Sequence, residues 1–245
     1  MYFSVKSGRA NIKTFLELMI EISEQTEKGY THEELREEIL TLAIAGTDTS
    51  AVGASFTLVM LSQHPDVQEK VHQEILDVFE DPDKPIEMSD LQRLKYMDAV
   101  IKETLRLYPP VPVLSRRTKH EVELNSGLVI PPGVEFVIHV WGIHRNPYYW
   151  GTDANEFKPE RFLLEPFPVI SSAFLPFSNG PRSCVGYQYA LLSIKTTIAT
   201  LLRRYRLLPA TSFKYDKTNP LQNSFQIMMK HVNNYEIQVE YRNKN

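Results

Sequence analysis

The sequence predicts a mainly α fold with a small β-region, an α+β chain, and three observations carry that prediction. Apolar residues recur at helical spacing over most of positions 12–107 and again over 187–205. After Pro109-Pro110-Val111-Pro112, short strand-like runs alternate with turn signals. The last stretch, about 225–241, alternates apolar and polar residues as paired strands do. Of 245 residues, 42% are hydrophobic and 23% charged, enough for one core. With no internal repeat, low-complexity tract or linker, residues 1–245 are expected to form a single unit.

The elements follow in order. Ile12, Phe15, Leu16, Met19 and Ile22 share one helical face, and that helix is expected to stop around Lys28-Gly29. Thr31 and Glu34 form a capping box that opens a helix of about thirty residues, reaching His64-Pro65 without an internal proline. Pro65 suits the first position of the next helix, whose Val67, Val71, Ile75 and Val78 lie on one side, and Asp81-Pro82-Asp83-Lys84-Pro85 ends it. Ser89 or Asp90 can cap a short helix at 91–94, and 97–107 makes another. Strand-like runs at 122–124, 128–130 and 134–140 are separated by Asn125-Ser126-Gly127 and Pro131-Pro132-Gly133. Residues 142–186 read as a long irregular segment, which in a compact domain is usually functional. A helix over 187–205 carries Ala190, Leu191, Ile194, Ile198, Leu201 and Leu202 on its apolar face. Phe225 and Ile227 with Tyr235, Ile237, Val239 and Tyr241 read as a closing hairpin.

Charge excludes one broad class. The net charge is −3, and no run of Lys and Arg is interleaved with aromatics, so nothing here attracts nucleic acid. The single cysteine rules out an internal disulfide, and its use as a thiolate suits a reducing compartment such as the cytosol or a surface facing it. Residues 1–9 lack the charged start, apolar run and cleavage site of a signal peptide. The most apolar stretch, 40–61, is broken by Thr47, Asp48, Thr49 and Ser50, short of the uninterrupted run that a membrane span needs, and reads as a buried helix.

That one cysteine lies in Phe177-Ser178-Asn179-Gly180-Pro181-Arg182-Ser183-Cys184-Val185-Gly186. A thiolate that binds iron needs backbone donors and a positive helix end to hold its charge, close backbone approach to a flat macrocycle, and a cation for the macrocycle's acid groups. Gly180 and Gly186 permit the approach, Arg182 is a cation, and the helix after Cys184 presents its positive end. A buried structural thiol is the usual fate of a lone cysteine, but the flanking pattern argues against it. A cysteine nucleophile, with seven histidines available as bases, lacks the flanks of the known thiol proteases.

The F-x-x-G-x-R-x-C-x-G pattern resembles the haem-binding loop of the cytochromes P-450. The resemblance implies Cys184 as axial ligand to haem iron, Phe177 over the sulfur side of the haem, Arg182 paired with a haem propionate, and Gly186 within the binding loop. Ala45-Gly46-Thr47-Asp48-Thr49-Ser50 looks like the family's oxygen-binding helix, which makes Asp48 and Thr49 the acid–alcohol pair that delivers protons to dioxygen. Read without the family, Thr49 could instead back-bond its own helix and Asp48 form a buried salt bridge. Glu103-Thr104-Leu105-Arg106 and Pro159-Glu160-Arg161-Phe162 resemble its buried Glu-Arg-Arg network, a structural element holding the cysteine loop. Arg116, ahead of the first strand, matches the position that binds a second propionate, with Arg117 the alternative. His144 is expected to be a satisfied structural histidine. Arg203, Arg204 and Arg206 read as a solvated helix end, with a docking face for an acidic reductase as the other possibility.

The resemblance spans about residues 12–241 and corresponds to the C-terminal half of the cytochrome P-450 fold, closest in texture to the family 4 fatty-acid-type hydroxylases and their insect relatives. Helices that cover the far side of the haem, much of the substrate pocket, a further propionate partner and a membrane anchor have no counterpart, so the chain is expected to be a partial product or truncated gene model. Where many of those relatives carry a glutamate esterified to haem, this sequence has Ala45, so no ester forms there. The implied function is a haem-thiolate monooxygenase at the cytoplasmic face of the endoplasmic reticulum, fed by an NADPH-dependent reductase and acting on a lipophilic small molecule. Membrane association is expected of the full-length protein only. The competing expectation is a non-catalytic haem-binding or unfolded remnant of such an enzyme.

Overall fold

Two reciprocal capping boxes set the start of the chain's first helices. The computed structural model describes residues 13–25, 29–79, 81, 84–164, 171–213, 215, 220–225 and 228–242, so the expectations placed on Ile12, Lys28, Pro82, Asp83 and Ile227 lie outside the described residues. Helix α1, Phe15–Gln25, opens where Thr14 N–H donates to Glu17 and Glu17 N–H donates back to Thr14 Oγ1. Helix α2, His32–Gln63, opens on the expected Thr31 and Glu34 box, with bonds of 2.8 and 3.2 Å, and runs for 32 residues.

The chain, expected to be one unit, divides between Asp48 and Thr49 into two compact units, and α2 contributes to both. In the first unit Met19 of α1 is buried, whereas Phe15, Leu18 and Ile22 are exposed. On α2, Leu40 and Ile44 are 52% and 67% exposed. The expectation of a buried helix across 40–61 therefore holds only from Ser50 onward. Two helices cannot cover each other's apolar faces all round, and α1 is the only other described element of this unit. By length and composition α2 is long and apolar enough to cross a membrane, with 22% of the qualifying window buried.

The second unit is built on helices. Val52, Phe56, Val59 and Met60 of α2 pack with Leu107, Tyr108, Leu221 and Met229, and the Phe56 and Tyr108 rings stack at 4.8 Å. Helix α3, Pro65–Val78, starts on its proline; α4 spans Met88–Arg93, and α5 spans Lys95–Leu107. Asp90 is not the cap of α4 but its third residue, accepting the Glu87 N–H at 3.1 Å. After the thiol loop comes α8, Tyr187–Leu202. Val67, Val71 and Ile75 of α3, Met97 and Ile101 of α5, and Ile194, Ile198 and Leu202 of α8 form the larger core.

Short antiparallel pairs complete the α+β architecture. Strand β1, Leu114–Arg117, pairs with β4, Glu135–Ile138, so Arg116 and Arg117 lie within the first strand rather than ahead of it. Strands β2, Val122–Glu123, and β3, Val129–Ile130, fall within two of the expected strand-like runs and pair with each other, but Val140 already belongs to a short helix α6, Val140–Ile143. The helix expected over 187–205 ends at Leu202, and β5, Tyr205–Pro209, follows. Strand β8, Ile237–Tyr241, pairs with β5; β6, Asn223–Phe225, pairs with β7, Met229–His231. This replaces the expected closing hairpin. Both strands are anchored on α3: the buried Gln68 amide donates to the carbonyls of Leu61 and Leu207 and accepts the Leu207 N–H, holding β5, and Arg242, just past β8, donates its N–H to the Arg204 carbonyl at 2.9 Å and its Nη1 to Glu69 at 3.1 Å.

Helix α2 crosses the core at Gly53, where a Cβ would stand 3.0 Å from Ile194 Cδ1 and 3.4 Å from Leu105 Cδ2. Any side chain here presses on the ends of the Ile194 and Leu105 side chains. Gly53→Val is expected to lower stability by about 1–3 kcal/mol through overpacking, read from the midpoint of urea unfolding.

Candidate functional site

Glu103 is fully buried on α5, and both its oxygens are taken by positive or N–H partners. Its Oε2 accepts Arg106 Nε at 2.6 Å; its Oε1 accepts Arg106 Nη2 at 2.8 Å, the Lys158 N–H at 2.8 Å and Arg161 Nε at 3.0 Å. Arg106, also fully buried, spends its remaining donors on backbone carbonyls: Nη1 on His144 at 2.7 Å and Ala154 at 2.6 Å, Nη2 on Glu156 at 3.0 Å. Every N–H of the guanidinium is thereby matched. Its carbon also lies 4.8 Å over the Trp150 ring. Arg161, in a 3-10 helix at Pro159–Leu163, adds contacts to Asp153, so two carboxylates balance two guanidiniums. The Lys158 hydrogen bond, with Arg161 beside it, holds the Asp153 carboxyl below its usual range.

This cluster fastens residues 144–161, the first part of the segment expected to be irregular, to one helix. The segment contains a short helix α7, Pro147–Trp150, capped by the Asn146 side chain. From its start His144 reaches further. Its ring is fully buried, Nδ1 stands 3.0 Å from the Arg106 carbonyl, and Nε2 accepts the Leu175 N–H at 2.8 Å. Burial first, then the charges of Arg106 and Arg145, push its pKa down to about 4 against the bond to the Arg106 carbonyl.

Leu175 opens the cysteine loop. Its carbonyl accepts the Ser178 N–H at 3.1 Å, the Phe177 carbonyl accepts the Cys184 N–H at 2.9 Å, and the Gly180 carbonyl accepts the Ser183 N–H at 3.0 Å. Two residues sit in left-handed conformation: Gly180 at φ 82°, which glycine tolerates, and Ser178 at φ 64°, which it does not prefer. Ser178 is held there by Arg116, whose Nη2 donates to Ser178 Oγ at 3.0 Å. Phe177 packs against the main core and near Tyr187. Cys184 is a free, exposed thiol, Arg182 is exposed, and Gly186 caps α8 by accepting the Ala190 N–H at 2.9 Å.

The structure thus brings Phe177, Arg182, Cys184, Gly186 and Arg116 to one loop and its neighbouring strand. Asp48 and Thr49 lie elsewhere, as consecutive residues of α2. Asp48 is exposed, and Thr49 is half-buried one turn before Gly53. The sequence reading gave no role to Asp153, Ser178 or the carbonyls of Ala154 and Glu156: the carbonyls carry no side-chain signal, and the partner of Ser178 lies 62 positions away in the chain.

The backbone of the loop leaves room beside the thiol. A Cβ built on Gly180 or Gly186 meets nothing within 4 Å, so the loop's backbone is open to a flat group, with an exposed thiol between the two glycines and Arg182 and Arg116 as cations. These residues fit haem. The family model for cytochrome P-450 matches residues 3–238. The chain belongs to the cytochrome P-450 family. Its relatives include cytochrome P-450 4V2 of Rattus norvegicus, 40% identical over 198 residues that cover 79% of this chain and 37% of the relative. Cytochrome P-450 4d2 of Drosophila melanogaster is 43% identical over 178 residues, 72% of this chain and 35% of the relative. The chain therefore spans little more than a third of the length of the curated relatives it matches.

Glu103→Ala is expected to cost about 3–5 kcal/mol, because it leaves the buried Arg106 without its carboxylate and Arg161 with Asp153 alone; denaturant titration reads the loss. A pH effect follows from His144. Its pKa falls from 6.5 in the unfolded chain to about 4 in the native one, so between those values only the unfolded chain holds the proton. Its contribution to stability is complete above the higher value and is lost as pH falls toward the lower. His144→Gln is expected to remove about one proton from the uptake on unfolding near pH 5, measured from the pH dependence of the unfolding free energy.

Proposed function

We propose that the chain carries the thiolate side of a haem-thiolate monooxygenase, with Cys184 as the axial ligand to haem iron. The observation that carries this is an exposed thiol on an open glycine-flanked loop, next to a buried, charge-balanced network that fixes the segments around it. Haem bound through a thiolate supplies activation of dioxygen and transfer of one oxygen atom to a substrate. The chain's own residues do the rest. Arg182 and Arg116 neutralise the propionates, Phe177 shields the sulfur side, and Gly186 sets the start of α8 behind the ligand. Thr49 Oγ1 and the Asp48 carboxylate hold and pass protons toward dioxygen. An NADPH-fed reductase provides electrons, the substrate is a lipophilic small molecule of the fatty-acid-like or xenobiotic kind, and the setting is the cytoplasmic face of the endoplasmic reticulum. Ala45 supplies no carboxylate, so the haem is held without an ester at that position.

A second reading has its own observation: the exposed apolar residues of α2, such as Ile44, and the span of about 37% of its relatives' length. In that reading the chain binds haem without turning over substrate. Haem titrated into the chain, then reduced and exposed to carbon monoxide, is expected to show the strongly red-shifted Soret band of thiolate ligation, and Cys184→Ala is expected to abolish it. An unchanged spectrum in the variant refutes the ligand assignment. Adding reductase and NADPH separates the two readings: coupled product formation supports the enzyme, and the band without turnover supports the remnant.

A further inference from the structure

We propose that His144 is a positioning residue for the Cys184 loop, fastening it to the C-terminal end of α5 through a single imidazole tautomer. The hydrogen bonds decide the tautomer. A backbone N–H can only donate, so Nε2, which meets the Leu175 N–H at 2.8 Å, is bare. A carbonyl can only accept, so Nδ1, which meets the Arg106 carbonyl at 3.0 Å, carries the proton. Arg106 answers through its side chain, donating from Nη1 to the His144 carbonyl at 2.7 Å. His144 and Arg106 are thus joined twice, side chain to backbone in each direction. The ring packs against Phe174, stacked at 5.6 Å, and Trp150, edge-on at 6.4 Å, and the charges that act on it are those of Arg106 and Arg145.

The consequence for the thiol lies two bonds further along. Leu175 accepts from Ser178, and Phe177, inside that turn, accepts the Cys184 N–H. A shift of Leu175 moves the turn, and the turn carries the carbonyl that orients Cys184. The buried charge cluster on α5 therefore reaches the ligand loop through one imidazole. His144 touches neither substrate nor cofactor, and its role rests on the function proposed for Cys184.

The test uses His144→Phe and His144→Gln in the whole chain. Phenylalanine keeps ring volume against Phe174 and Trp150 and removes both hydrogen bonds; glutamine places an acceptor oxygen where Nε2 stood. Amide hydrogen exchange, followed by mass spectrometry on the haem-free chain, is expected to become roughly tenfold faster over 174–184 in the Phe variant, with α3 and α8 unchanged. The Gln variant is expected to restore most of the protection. In the haem-loaded chain the thiolate Soret signature is expected to weaken with Phe and to recover with Gln. Unchanged exchange in the Phe variant, or equal loss of protection over 174–184 in both variants, overturns the proposal. If the Phe variant does not fold, the Gln variant decides alone: wild-type protection of Leu175 supports the proposal and its loss refutes it. If the unaltered chain lacks the thiolate signature, the function proposed for Cys184 fails while the exchange result still stands for His144.

Discussion

The arrangement depends on one carboxylate removed from water between two guanidiniums. An isolated buried charge is too costly to keep, so Glu103 is stable only with Arg106 and Arg161 in place, and each arginine in turn needs the backbone carbonyls that complete it. Meeting those demands is what orders residues 144–161. Lacking regular secondary structure over most of its length, that segment satisfies its backbone through the arginine forks instead of through a ladder or helix. Removing a single charge leaves the others unmatched, which is why the cluster behaves as one object and not as a sum of pairs.

From that cluster outward the interactions become shorter in reach and more exposed. His144 is wholly buried, Leu175 partly so, and Cys184 lies open. The gradient suits a loop that must be rigid at its root and accessible at its tip. Ser178, in a backbone conformation that costs a non-glycine residue about 1 kcal/mol, sits midway and is held by the Arg116 side chain from β1. A strained residue pinned by a charged donor is a means of holding a tight turn next to a free thiol without covering it.

Helix α2 shows the other side of the same economy. Its second half, from Ser50, is core, with Phe56, Val59 and Met60 fully buried, while its first half leaves Leu40 and Ile44 in the open. Gly53 marks where the helix crosses its neighbours. Asp48 and Thr49 fall at the change from one environment to the other, an exposed acid followed by a half-buried alcohol. Polar residues in mid-helix are tolerated at such a transition because water still reaches one of them.

Much was legible in the sequence by itself. The capping box of Thr31 and Glu34, the proline start of α3, the periodicity of α5 and α8 and the cysteine signature all act over a few residues, so their physics is written in local order. The ion pair of Glu103 and Arg106 is also local, three apart on one helix, and the loop's glycines and thiol are contiguous. The tertiary structure decided what depends on distant partners. It paired β8 with β5 and tied both to α3, β5 through Gln68 and the end of β8 through Arg242, and placed Arg116 against Ser178 across 62 positions. It left the first half of α2 exposed and turned His144 from a residue with no assigned partner into a bridge between Arg106 and Leu175. Hydrogen bonds to backbone carbonyls and amides decided these cases, and since every residue offers them, composition and spacing give no sign of which will be used.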